Sequence, residues 1–171
     1  TDNILANSLF SDGAAALIVG ADASASETPL WDICAKKSTC VDNTTDKMRW
    51  EAGDEGYVMR LSHTVPVILG KQIAGFVHAL LGPGVALHDC DWAVHPGGKS
   101  IIQAVEKALN LKECQTKPSW DILADYGNMS SATFLFVLKR LYESGSSKEW
   151  TAGLGFGPGL SVEGILLKRP K

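Results

Sequence analysis

Asp91-Trp92-Ala93-Val94-His95-Pro96-Gly97-Gly98-Lys99-Ser100-Ile101-Ile102-Gln103-Ala104-Val105 is the stretch on which the fold class turns. Asp91 to Val94 is a short apolar run and reads as a buried strand. Pro96-Gly97-Gly98 closes that strand tightly and lets backbone approach another group. From Ser100 to Leu111, Ile101, Ile102, Val105, Ala108 and Leu109 recur at helical spacing and form one face. A buried strand running straight into an amphipathic helix is the repeating unit of an α/β protein.

The same alternation continues outward. Ser119 to Tyr126 reads as a short helix capped by Ser119. Met129 to Ser144 reads as a long helix, apolar nearly all round until Lys139-Arg140, and is therefore expected to be buried. Gly145 to Lys148 reads as a surface loop. Ala152 to Phe156 and Leu160 to Leu167 are expected strands that meet at Gly157-Pro158-Gly159. Upstream, Ala14 to Gly20 is a β-rich apolar run. Trp31 to Val41 reads as a strand with Trp31, Ile33 and Ala35 on one face. Asp42 to Asp46 is a polar turn. Met48-Arg49-Trp50-Glu51 and Tyr57 to Leu61, joined by Gly53-Asp54-Glu55-Gly56, read as a hairpin. A helix starting at Thr64, with Pro66 in its first turn, is stopped by Gly82-Pro83-Gly84. No internal repeat and no low-complexity segment interrupts the pattern.

A chain of 171 residues is long enough to bury a single core. Its 45% hydrophobic and 20% charged residues are ordinary for a globular protein. A net charge of -3 without a basic run argues against nucleic acid. No apolar stretch approaches the roughly 18 residues of a membrane span. No signal peptide opens the chain, so the expected compartment is the cytoplasm. Cys34, Cys40, Cys90 and Cys114 fit no zinc template and are read as free thiols. No ligand spacing for a metal is found.

Three segments carry the candidate chemistry: Val94-His95-Pro96-Gly97-Gly98, Gly127-Asn128-Met129-Ser130-Ser131-Ala132, and Gly155-Phe156-Gly157-Pro158-Gly159. Each sets a polar group or bare backbone at the end of an apolar run. An imidazole and a carboxamide that meet in a closed pocket can both donate hydrogen bonds to one oxygen. That suits a thioester carbonyl turning into an enolate. Simpler readings stand beside these. His95 also reads as a core histidine at a strand end, Asn128 as a helix cap, and the third segment as a plain turn.

These segments, together with Leu9-Phe10-Ser11-Asp12-Gly13-Ala14-Ala15-Ala16-Leu17-Ile18-Val19-Gly20, resemble the type III polyketide synthases, the chalcone-synthase-like enzymes. The resemblance runs from about Leu9 to Leu167, with four motifs in order. The Met48-Arg49-Trp50 region looks closer to fungal or bacterial alkylpyrone and alkylresorcinol-type members than to plant ones. Family members are about twice this length, and this chain resembles their C-terminal half. The implied fold is the C-terminal half of a thiolase-like αβαβα five-layer fold. Residues 1–22 would end the N-terminal half with its last strand, and residues 23–171 would form the C-terminal domain.

The resemblance implies an acyltransferase that condenses an acyl-CoA starter with malonyl-CoA by decarboxylative Claisen chemistry, giving pyrone or resorcinol-type products. It implies His95 and Asn128 as catalytic groups and a nucleophilic cysteine on the N-terminal half. Phe156, Gly157 and Pro158 would shape the cyclisation pocket. Met59 falls where plant members carry a gatekeeper phenylalanine, and reads equally as a core methionine. Ser130 matches a pocket-floor position or simply a helix first turn. Gly97 and Gly98 would admit substrate, and Ser100 would meet the pantetheine arm. Coenzyme A thioesters are the implied substrates, with no cofactor. The implied partners are the N-terminal half and a second copy in a homodimer. Another thiolase-fold condensing enzyme, of the ketoacyl-carrier-protein synthase or hydroxymethylglutaryl-CoA synthase type, shares the cysteine, histidine and asparagine logic. An inactive half that only assembles is the remaining alternative. Alone, such a half should expose the apolar face its partner covers.

Overall fold

The computed structural model describes residues 2–54 and 56–170. Glu55, named in the expected turn, lies outside the described residues. In chain order the elements are α1 (Asp2–Leu9), β1 (Asp32–Cys40), β2 (Met48–Gly53), β3 (Gly56–Leu61), α2 (Val65–Leu81), β4 (Cys90–Val94), α3 (Lys99–Leu109), α4 (Glu113–Tyr126), α5 (Ser131–Glu143), β5 (Trp150–Gly157) and β6 (Ser161–Lys168). A four-stranded sheet runs β1-β6-β5-β4, with β4 and β5 parallel and the other pairs antiparallel. The hairpin of β2 and β3 is a separate two-stranded sheet.

Alternation along the strands sorts side chains between two helical layers. Cys90, Trp92 and Val94 on β4, with Ala152 and Leu154 on β5, pack against α2 and α3 residues such as Leu69, Ile73, Ile101 and Val105. Ala93 points the other way, into a cluster with Ile122 of α4 and Val137 and Leu141 of α5. The expected α/β class is therefore present as helices, sheet and helices, with one parallel strand pair where a strand–helix unit returns.

One glycine lets α2 approach the sheet closely. A Cβ on Gly164 would lie 2.6 Å from Phe76 Cε1 and 2.9 Å from Leu80 Cδ2. Gly164→Ala is expected to destabilise the chain by about 1–3 kcal/mol, the usual cost of overpacking. Urea melts check this, and a variant as stable as the parent would refute the packing argument.

Several sequence expectations need correction. Ala14 to Gly20 is irregular and exposed rather than a strand, and Ile18 is fully exposed. An isolated strand leaves its backbone groups unpaired, and none of the described strands pairs with this segment. Ile33 is exposed, because the register shifts between Ile33 and Ala35 and takes it off the face of Trp31 and Ala35. Thr64 stands at the start of α2, but its hydroxyl pairs with Ser62 Oγ at 2.8 Å and caps nothing. Ser119 is no cap either. α4 starts six residues earlier, at Glu113, where Gln115 Oε1 accepts the Lys112 N–H at 2.9 Å. Finally, α5 is not buried all round. Thr133, Val137 and Leu141 are buried, while Phe134, Phe136 and Leu138 are only partly covered, since only one face meets the sheet.

Candidate active site

His95 follows the last residue of β4 and is buried, 9% exposed. Its backbone is fixed from both sides. The His95 N–H donates to Leu154 O of β5 at 2.8 Å. β4 is an edge strand of this sheet, so the preceding Val94 N–H faces away from β5 and donates instead to Ser119 Oγ at 3.1 Å. Ser119 is wholly buried in the interior of α4. Its role is to satisfy a strand-edge amide one residue before the histidine. The sequence signal for this is a lone polar residue on the inner face of a helix, masked by its being a good cap residue type.

After His95 the chain turns back on itself, with Gly97 N–H donating to His95 O at 2.9 Å. A Cβ on Gly97 would meet the His95 ring, 3.4 Å from Cδ2 and 3.6 Å from Nε2. Gly98, with φ 150°, then opens α3. Ser100 sits exposed in the first turn of that helix.

Asn128 is 3% exposed. It lies three residues before α5, so it is not the helix cap; Ser130 holds that position, with φ 58°. Asn128 Oδ1 accepts the Ser130 N–H at 2.8 Å, and its Nδ2 donates to Gly97 O at 3.4 Å. The carboxamide oxygen is thus occupied and the NH2 group is the free end. One amide hydrogen is spent weakly on Gly97, which leaves a second for another acceptor. Gly97 therefore stands between the two candidate groups, its side-chain position facing the imidazole and its carbonyl accepting from the carboxamide.

The backbone of Asn128 is held by a segment whose role was not legible in advance. Asn128 N–H donates to Leu9 O at 2.9 Å, and Ser11 N–H donates to Asn128 O at 3.0 Å. Gly127 is required here: it has φ 73°, and a Cβ would lie 3.1 Å from Leu9 O. Between those bonds, Phe10 packs edge-on against Trp50 of β2 with ring centroids 6.2 Å apart. Met59, 7% exposed, is the cross-strand partner of Trp50 and lies outside both main apolar clusters. The hairpin thus joins the site through Phe10.

Phe156 and Gly157 extend β5 beyond Leu154, past the level where β4 ends at Val94. Phe156 is half-buried against the larger apolar cluster, and Pro158 is exposed. These residues rise from the same sheet end as His95. Ser130 is exposed at the start of α5.

Burial alone pushes the His95 imidazole down to about 4. It is neutral at pH 7 in this chain and presents one N–H donor and one acceptor. Its folded pKa lies below the unfolded value, so the unfolded state binds the proton more readily. Stability is then highest above about pH 6.5 and falls as pH drops toward 4, by about 3 kcal/mol from this group. Urea melts at pH 5 and 7.5 should show this fall in the parent and a smaller one in His95→Gln. Equal falls in both would refute it. Burial also pushes the Cys90 thiol up to about 11, and Cys34, Cys40 and Cys114 are free and exposed. The Cys90 shift is opposite to that of a nucleophilic thiol. Among the described residues no cluster of His, Cys, Asp and Glu could hold a metal ion, and no helix is long and apolar enough to cross a membrane.

A mixed sheet between helical layers, with a buried imidazole and carboxamide at one strand end, fits the C-terminal half of a thiolase-like fold. Residues 32–170 match the family model of chalcone and stilbene synthases, C-terminal domain, and the chain belongs to that family, the type III polyketide synthases. It is 37% identical over 174 residues to "Probable polyketide synthase 1" of Dictyostelium discoideum, covering 98% of this chain and 6% of that protein. It is 34% identical over 175 residues to "Type III polyketide synthase C" of Arabidopsis thaliana, covering 97% of this chain and 46% of that protein. Among solved structures, the C-terminal type III polyketide synthase domain of Steely1, a type I/III hybrid from Dictyostelium, superposes with a TM-score of 0.94. That match has 36% identity and covers 99% of this chain and 48% of that one. The fungal type III polyketide synthase ORAS gives 0.79 at 29% identity, over 86% of this chain and 43% of that one. The chain spans about half the length of its Arabidopsis relative, and far less of the Dictyostelium protein.

Proposed function

We propose that this chain works as the C-terminal half of an enzyme that condenses an acyl-CoA starter with malonyl-CoA. The observation that supports this most is the convergence on Gly97 of the buried His95 ring and the Asn128 amide, whose oxygen is already engaged. In this reading both groups donate hydrogen bonds to the malonyl thioester carbonyl. The bond from the α-carbon to the terminal carboxylate breaks and carbon dioxide leaves. Its electron pair becomes the thioester enolate, whose oxygen the two donors stabilise. The enolate carbon attacks an acyl thioester carried on a cysteine of the N-terminal half. A carbon–carbon bond forms and the cysteine thiolate is released.

A neutral imidazole suits the donor role, and a thiolate facing it would draw its pKa back up by ion pairing. Phe156, Gly157, Pro158, Met59 and Ser130 would shape the chamber for the growing chain. Gly97 and Gly98 would admit substrate, and Ser100 would meet the pantetheine arm. Repeated extension and ring closure would give pyrone or resorcinol-type products. The chemistry asks for no metal or redox cofactor. The N-terminal half, and a second copy forming a homodimer, would cover apolar groups that stand exposed here, among them Leu17, Ile18 and Val19.

The test is to produce this chain with its N-terminal half and add a fatty acyl-CoA and malonyl-CoA, without carrier protein. Mass spectrometry should find an acylated cysteine on the N-terminal half and polyketide products. Turnover only with a carrier-protein substrate would point to a ketoacyl-carrier-protein synthase. No acylation and no product would overturn the reading.

A further inference from the structure

Thr44 lies in the connection between β1 and β2 and is 4% exposed. Its hydroxyl accepts the Leu160 N–H at 2.7 Å. Its single proton is within reach of two carbonyls, Val41 O at 2.6 Å and Gly159 O at 3.1 Å. The neighbouring Val41 N–H donates to Leu160 O at 2.9 Å. One buried side chain therefore grips the turn at residues 158–160 that joins β5 to β6. A hydrogen-bonded path also leaves Thr44 in the other direction. Lys47 N–H donates to Thr44 O at 2.9 Å, and Ser62 N–H donates to Lys47 O at 2.8 Å. Ser62 directly follows β3, the strand that carries Met59. Two candidate walls of the chamber, the turn and the hairpin, are thus tied to each other through residues 44–47.

We infer that Thr44 is a positioning residue that fixes the offset between the β5–β6 turn and the Met59 hairpin, and through it the chain length the chamber favours. This rests on the function proposed above. Thr44 touches no reacting atom in that scheme. Its hydroxyl replaces a backbone acceptor that the turn does not supply, so removing it leaves a buried amide without a partner and the turn free to shift. Shifts of about 1 Å in a supporting group are enough to alter how a bound chain presents itself to reaction.

The experiment compares Thr44→Val, Thr44→Ser and Thr44→Cys in the enzyme assembled from both halves. The readouts are the ratio of longer to shorter polyketide products and the rate of malonyl-CoA decarboxylation. Val keeps the shape and loses the hydroxyl. Ser keeps the hydroxyl and loses a methyl. Cys offers only a weak hydrogen-bonding sulfur. Val and Cys are expected to change the product ratio about 3- to 10-fold, the scale of one lost hydrogen bond, with decarboxylation changed less. Ser should keep the parent ratio. An unchanged ratio in Val, or in Cys should Val not fold, overturns the inference, as does a Ser variant that shifts like Val. A parent enzyme that makes no polyketide would instead count against the proposed function.

Discussion

Asn128→Asp is expected to slow malonyl-CoA decarboxylation by about 10²–10³, the scale of losing one oxyanion donor. The substitution is chosen because the two sides of the carboxamide do different things. Asn128 Oδ1 accepts the Ser130 N–H at 2.8 Å and so fixes the start of α5. Aspartate retains that acceptor and loses the NH2 that faces Gly97. The variant should therefore stay folded while losing the reaction. It also sets a negative charge where negative charge must develop, so the stated loss is a lower bound. Asn128→Leu makes the complementary case. It removes the donor and also the acceptor of the Ser130 N–H, at a further cost to stability of about 1 kcal/mol. Rates of carbon dioxide release, read beside urea melts, separate the two. An Asn128→Asp enzyme with the parent's rate would remove Asn128 from the mechanism.

The largest expected effect on stability comes from Trp92→Ala, at about 3–5 kcal/mol. Trp92 is fully buried on β4, in the cluster that joins the sheet to α2 and α3, three residues before His95. Domains of this size have about 5–15 kcal/mol in all, so the change takes a large share of the total. At roughly 2–4 °C per kcal/mol, the melting temperature should fall by about 10 °C. Trp92 Nε1 has no hydrogen-bond partner among the described residues. Trp92→Phe therefore discards an unsatisfied N–H along with some volume and should cost much less than Trp92→Ala. Circular dichroism melts of both variants check this. Similar losses in the two would show that the indole N–H is satisfied by a group such as a buried water.

How much of this was written in the sequence depends on how local the cause was. Periodicity placed β4, α3, β5, β6 and the hairpin, because each buries its own alternating or helical face. The run from Val94 to Gly98 was legible for the same reason: strand, turn and helix are each encoded within a few residues. α4 reads too short because Ser119 is a good cap residue type, yet the helix already runs from Glu113 and Ser119 lies inside it. The role of Ser119 followed that error, since its partner is a strand amide 25 positions away. Asn128 looked like a cap because its residue type is a good one, while Ser130 takes that place by adopting φ 58°. Ala14 to Gly20 has the composition of a strand and no neighbour here to pair with, and composition cannot supply an edge. Thr44 was one of two threonines in a polar turn, and only the fold reveals that its hydroxyl meets residues more than a hundred positions away. The motif resemblance carried what periodicity could not, namely the thiolase-like fold, and it implied the joint role proposed for His95 and Asn128.

The most direct test of the central claim is release of labelled carbon dioxide from carboxyl-labelled malonyl-CoA by this chain assembled with its N-terminal half. Parent enzyme, His95→Gln, Asn128→Asp and the double variant should be compared without a starter. Groups that act on one oxygen should not contribute independently, so the double variant should lose little more than the worse single one. The account predicts release by the parent and a loss of about 10²–10³ or more in each single variant. Release at the parent's rate from the double variant would contradict it.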